Sequence, residues 1–176
     1  GNGTVMHSQS PSWGVGYVEA LDTTPSYYDY DPEKAKEYLA QSSYNGETLV
    51  ILTEATGNIA KAAELIQAFL SAVGIKAELN SIDSTILQAT YTNPDGWDLL
   101  VNQWACNTYA PTPFQTFSSD RFTTGTMNHI YDDVLQEKLE AAFDLSTAGE
   151  ESFLDLHNYV VDNAYGMAMV NYTTTY

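Results

Sequence analysis

Apolar positions recur along the chain with two different periods, and the switches between them mark out its elements. Residues 47–53 hold Leu49, Val50, Ile51 and Leu52 between threonines, a run that reads as a buried strand. Ile59, Ala62, Ala63, Ile66, Phe69, Leu70 and Val73 then recur at helical spacing, predicting a helix over 58–73 that stops at Gly74. From Ile75 the period falls to two. Ile75, Ala77 and Leu79 alternate with Lys76, Glu78 and Asn80, so 75–82 is a second strand. Asp83 caps a short helix through Tyr91, Asn93-Pro94-Asp95-Gly96 turns the chain, and 97–104 reads as a third strand.

Upstream, Asp31-Pro32-Glu33 supplies an N-cap, a proline at the first helical position and an early acid. These predict a helix over 34–42 whose buried stripe is Ala35, Tyr38 and Leu39, and Asn45-Gly46 then turns it into the first strand. Downstream, amphipathic helices are expected at 132–145 and 150–164, before a last strand at 167–171. Strand, helix, strand, helix, strand predicts an α/β fold, a mostly parallel sheet with flanking helices. Residues 1–30, with Gly1, Gly3, Pro11, Gly14, Gly16 and Pro25, show neither period and read as an extended segment lying over a neighbouring surface. A length of 176 residues suits one ordinary domain, so a single lobe over 1–176 is expected, with 1–30 wrapping an α/β core of 31–176. Residues 105–127 are irregular apart from a turn of helix near 114–118, and a loop that long usually carries function.

Composition narrows the partners. Twenty-three acidic residues against six basic ones give a formal charge of -17, which disfavours nucleic acid and anionic membrane surfaces. The surplus reflects a shortage of Lys and Arg rather than acidic tracts, which suits a solvated extracellular surface. No apolar run approaches the roughly 20 residues that cross a bilayer, and the predicted helix over 58–73 is broken by Lys61, Glu64 and Gln67.

The single cysteine, Cys106, excludes an internal disulfide, and a catalytic thiol would need a histidine and an orienting group that the sequence does not place beside it. His7, His129 and His157 are too scattered for a metal-ligand spacing, so neither metal nor cofactor is expected. Asp29, Asp31, Asp132 and Asp133 look like turn and helix-capping residues. With no nucleophile, base and orienter to assemble, a binding protein is expected rather than an enzyme.

Ligands of open α/β sheets bind at the carboxyl ends of strands, where the strand order reverses. Those ends fall at 53–58 and 103–109. Thr56 and Asn58 open a helix whose backbone donors could take a carboxylate or hydroxyl oxygen, and Asn58 serves equally well as an ordinary cap. Trp104, Asn107 and Tyr109 put an aromatic plane beside amide and hydroxyl groups, although Trp104 fits a core position equally well.

Several segments resemble one known family, the extracellular solute-binding proteins of the oligopeptide, dipeptide and nickel type. Tyr30-Asp-Pro-Glu-Lys-Ala-Lys-Glu-Tyr-Leu39 is similar to that family's YDPEKAKELL helix, and Asn45-Gly-Glu-Thr-Leu49 to the entry of its next strand. Residues 63–79 resemble its AEAIQQQLAKIGIKVEI segment, 97–104 its YDMALLGW strand, and 164–172 its APYIPLY close. Five such pieces in the correct order span the chain, and Gly1-Asn-Gly-Thr4 also matches how the family's C-terminal lobe begins.

The resemblance implies the C-terminal lobe of a two-lobed, hinge-closing, type II-like periplasmic binding protein, with the other lobe lying outside these 176 residues. It further implies an oligopeptide-like or oligosaccharide solute captured between lobes and passed to an ABC transporter permease. The full-length parent would act at the cell envelope, in the periplasm or as a membrane-anchored lipoprotein, and the isolated lobe would be a monomer. In peptide-binding members the third residue after the strand-ending Trp is an Asp that pairs with the peptide ammonium; here it is Asn107, followed by Ala110-Pro-Thr112 where DPD is usual. The position three before Trp104, an Arg for ligand carboxylate in some members, is Val101. Two other classes remain as alternatives, an extracellular sensor domain and a glycan hydrolase.

Overall fold

The computed structural model describes residues 3–23, 29–106, 108–119 and 129–172. In chain order the elements are β1 (Gly3–Val5), α1 (Ala20–Thr23), α2 (Pro32–Gln41), β2 (Thr48–Glu54), α3 (Gly57–Ala72), β3 (Lys76–Ile82) and α4 (Ser84–Tyr91). A 3-10 turn at Pro94–Gly96 leads to β4 (Leu99–Val101), α5 (Thr112–Gln115), α6 (Asp133–Phe143), α7 (Glu150–Asp162) and β5 (Val170–Tyr172). They form two compact units, one of Tyr30–Gln103 and one of Gly1–Asp29 together with Trp104–Tyr176.

The unit of Tyr30–Gln103 is built on a parallel sheet of order β3-β2-β4, with Ile51 opposite Leu79 on one side and Leu99 on the other. Its central strand is the β-branched run read from the sequence, and Ile51, Leu52 and Thr53 are fully buried. Helix α3 crosses from β2 to β3 and turns Ile59 and Ala63 inward, and its Gln67 donates from Nε2 to the Ala77 carbonyl at 2.8 Å. Gly74, at φ +95, allows the left-handed turn that ends this helix. Tyr44 ties the two strand entries together: its hydroxyl donates to the Glu47 carbonyl and accepts the Lys76 N–H, each at 2.8 Å.

Three expectations change in this unit. The third strand is shorter than 97–104: at its start the Asp98 carboxylate accepts the Val50 N–H at 2.7 Å, and at its far end the pairing with β2 stops at Val101. Tyr38 is not part of a buried stripe; it is 63% exposed, and Lys34 sits over its ring at 5.8 Å, a surface cation–π contact. Phe69 is half-exposed, with the Tyr30 ring 5.2 Å away.

In the other unit β1 and β5 pair antiparallel, Thr4 facing Asn171, and Met6 donates to Met169 O beyond the ladder. The core joins Val18, Leu21 and Phe114 to the inward stripes of α6 (Leu135, Leu139, Ala142) and α7 (Phe153, Leu156, Val160). Asp132 caps α6 by accepting the Val134 and Leu135 N–H groups, and its other oxygen accepts the hydroxyls of Tyr159 at 2.8 Å and Tyr165 at 2.7 Å. The tyrosine hydroxyls and cap amides hold the Asp132 carboxyl below the usual carboxylate range, and in return the hydrogen bond to Asp132 pushes Tyr159 up to about 12. Strand β5 lies later than the expected 167–171, where its residues meet β1.

His157 lies on the buried face of α7 and is 1% exposed. Burial opposes its charged form and lowers its pKa to about 4 from the ordinary 6.5. A depressed histidine keeps the folded state from taking a proton that the unfolded chain accepts. Stability from this residue is therefore complete above pH 6.5 and declines as pH falls from there to about 4, by about 3 kcal/mol in all. Urea unfolding at pH 7.5 and 4.5 measures this loss. His157→Leu should flatten the dependence over that window, and an unchanged slope in the variant would show that another group is responsible.

Candidate functional site

The order β3-β2-β4 places β3 and β4 on opposite sides of β2, so the connections leaving the sheet diverge at the carboxyl ends of β2 and β4. Such a divergence opens a crevice at the ends of the diverging strands. At the end of β2 the chain passes from Glu54 through Ala55, whose N–H donates to the Ile82 carbonyl at 2.8 Å, and enters α3. Thr56 is the N-cap but makes no side-chain capping bond, and Gly57 takes φ +78. Asn58 lies within the first turn of α3 and does not cap it; Thr56 and Asn58 are both exposed. The first turn of α3 therefore starts without a side-chain acceptor from its cap, at the positive end of a helix dipole.

At the end of β4, Val101 is buried at 6% exposure, and the polar pair Asn102-Gln103 follows at once, the Gln103 N–H donating to Asn102 Oδ1 at 2.8 Å. Reading the third strand through residue 104 hid this pair. Its signal in the sequence was the change from Leu99-Leu100-Val101 to two consecutive amides.

Trp104 and Tyr109 belong to the other unit. Trp104 is 44% exposed and Tyr109 92% exposed, so both rings present surface to solvent and neither is in the core. Asn107, between them, lies outside the described residues. Cys106 is half-buried, and burial pushes its thiol up, away from the thiolate that nucleophilic chemistry needs. Pro111 starts the single turn α5, which carries Phe114 into the core and so anchors the far end of this loop.

Among the described residues no group of three or more His, Cys, Asp or Glu side chains is placed to hold a metal ion. No helix among them is long and apolar enough to cross a membrane. An open groove of about 700 Å³ between α3 and β3, lined by Thr48, Gln67, Ser71 and Lys76, lies at the amino-terminal ends of β2 and β3. That is the wrong end of the strands for the ligand site of an open α/β sheet.

A parallel sheet with flanking helices and a strand-order switch defines an open α/β ligand-binding architecture. The description "Bacterial extracellular solute-binding proteins, family 5 Middle" matches residues 1–125, and the chain belongs to that family. The same fold recurs in solved binding proteins. The dipeptide binding protein of a Pseudoalteromonas species, in complex with Met-Leu, superposes with a TM-score of 0.78 at 18% identity, over 97% of this chain and 35% of its own. The periplasmic binding protein DppA of Helicobacter pylori, in complex with the peptide STSA, gives 0.73 at 24% identity, over 96% and 35%. The binding protein AgaA of A. tumefaciens, in complex with agropinic acid, gives 0.77 at 18%, over 97% and 35%. This chain thus spans about a third of the length of these structures.

Proposed function

We propose that this chain is a solute-contacting lobe of an extracellular receptor that captures a small solute and delivers it to the permease of an ABC importer. The observation that carries the reading is the strand-order switch at β2 and β4, in a chain that belongs to a solute-binding family. Thr56 and Asn58 at the start of α3, and Trp104, Asn107 and Tyr109 after β4, are the proposed contacts. Receptor and solute would meet at the cell envelope, in the periplasm or on a membrane-anchored lipoprotein. The whole of residues 1–176 acts as the lobe in this reading, closing on the ligand against a partner lobe and carrying out no chemistry on it.

The solute class follows from Asn107. An ammonium held in a desolvated cleft needs a charged partner, and an amide supplies none. A neutral, hydroxyl-rich ligand suits these side chains better, since Asn107 both donates and accepts, Thr108 and Tyr109 carry hydroxyls, and Trp104 offers a face for a sugar ring. Relatives of this fold hold ligands as unlike as a dipeptide and agropinic acid. We therefore place an oligosaccharide or similar neutral solute ahead of a free peptide.

Isothermal titration of the full-length protein with short free peptides and with neutral oligosaccharides tests both levels of the reading. Binding of the oligosaccharides with weak or no binding of the peptides is the expected result. Tight binding of free peptides overturns the solute class but keeps the receptor; hydrolysis of any of these ligands overturns the receptor reading itself.

A further inference from the structure

We propose that this chain is built to fold in concentrated salt, its carboxylate surface opposing the compact state until mobile ions screen it. Four observations converge on this. The net charge is -17, and the acids are spread along the chain from Glu19 to Asp162 instead of being gathered in one tract. Among the described residues no carboxylate is buried, so the acidic charge is confined to the molecular surface. Cations barely offset it: six Lys and Arg face 23 acidic residues, and the lysine–carboxylate pairs among the described residues include Lys36–Glu33 and Lys138–Asp155. Finally, helices α1 to α7 all lack a basic residue in the last turn, where the helix dipole favours one.

The depletion of Lys and Arg thus extends to places where a cation would stabilise locally. Like charges on a compact surface repel, and unfolding relieves the repulsion by moving them apart. The Debye length is about 10 Å at 0.1 M salt and about 3 Å at 1 M, so concentrated salt removes most of this repulsion. It also weakens attraction between exposed ion pairs, but pairs of that kind contribute little. For this chain the repulsive side dominates, and salt should raise stability where it would leave a charge-balanced surface almost unchanged. Solute recognition then has to work without long-range charge attraction, which the proposed amide, hydroxyl and aromatic contacts do.

Thermal unfolding followed by circular dichroism between 0.1 and 2 M NaCl at pH 7.5 tests the proposal on the 176-residue chain. The expected result is a Tm rise on the order of 10 °C or more. A variant carrying Glu37→Gln, Glu64→Gln, Glu137→Gln and Glu140→Gln separates screening from salting-out of apolar surface. All four side chains are exposed on helices, and glutamine keeps their helix propensity. The net charge becomes -13 from -17, and repulsion that scales with the square of charge drops to about six-tenths. The variant should melt higher than the parent at 0.1 M NaCl and gain correspondingly less from added salt. A flat or falling Tm in the parent overturns the proposal, and so does an equal salt gain in parent and variant, which would assign the effect to apolar surface.

Discussion

Phe114→Ala should lower the unfolding free energy of the unit that contains it by about 3 to 5 kcal/mol, the usual cost of removing a buried phenylalanine. Phe114 is fully buried and is the largest such side chain among the described residues, with the Phe153 ring centroid 5.8 Å away. It enters the core from a single helical turn, held where Phe114 N and Gln115 N both donate to the Pro111 carbonyl. So short a turn has little stability of its own; the side chain pins the loop as much as the loop places the side chain. Gly16, at φ +83, lies against both rings, and a Cβ there would fall 3.0 Å from Phe153, so the neighbouring backbone is packed too closely to close a cavity easily. Urea unfolding followed by circular dichroism measures the loss, and Phe114→Leu, which keeps most of the apolar volume, should lose less. A cost below about 1 kcal/mol for the alanine variant would show that the site collapses without strain.

Asn107→Asp should move ligand preference towards free peptides. An ammonium left without its charge partner in a buried site costs about 3 to 5 kcal/mol, on the order of a hundredfold to a few thousandfold in affinity. Restoring the carboxylate should recover a gain of that order for peptides with a free amine. It should weaken neutral ligands, because a carboxylate can only accept where the amide also donates. Parallel titrations of both proteins with a free peptide, its N-acetylated form and an oligosaccharide separate charge from shape. If the acetylated and free peptides gain equally, position 107 does not read the amine.

Much of the unit of Tyr30–Gln103 was legible in the sequence because its strands and helices are contiguous and strongly periodic. β2, α3 and β3 fall within a residue or so of where Leu49–Leu52, Ile59–Leu70 and the Ile75–Leu79 alternation put them. What pattern could not supply was which apolar residues would find a partner. Tyr38 satisfies the helical period yet remains at the surface, since α2 buries none of its residues, and Phe69 on α3 stays half-exposed although Ile59 and Ala63 of the same helix are buried. The converse holds at Ser8, Gln9 and Ser10, polar residues of the segment read as extended over a neighbouring surface, which are buried. They are accommodated because Gln9 Nε2 donates to the Gly166 carbonyl at 2.9 Å and Ser10 Oγ to the Val15 carbonyl at 2.7 Å. The candidate site was legible only as strand ends: the close of β2 could be located, whereas a strand read through to Trp104 concealed that pairing of β4 stops at Val101, before the amides Asn102 and Gln103.

The interleaving of the two units bears on synthesis. Residues 30–103 are contiguous, so the three strands of their sheet can pair as soon as β4 has left the ribosome. The other unit must wait, because β1 at Gly3–Val5 finds its partner only at Val170–Tyr172. At about 5 to 20 residues per second that interval is roughly 10 to 30 s. Throughout it, β1 lacks its β5 partner, and that strand edge is free to pair with other chains. A factor that shields β1, or export that delays folding until β5 has emerged, would protect the molecule at its most vulnerable stage.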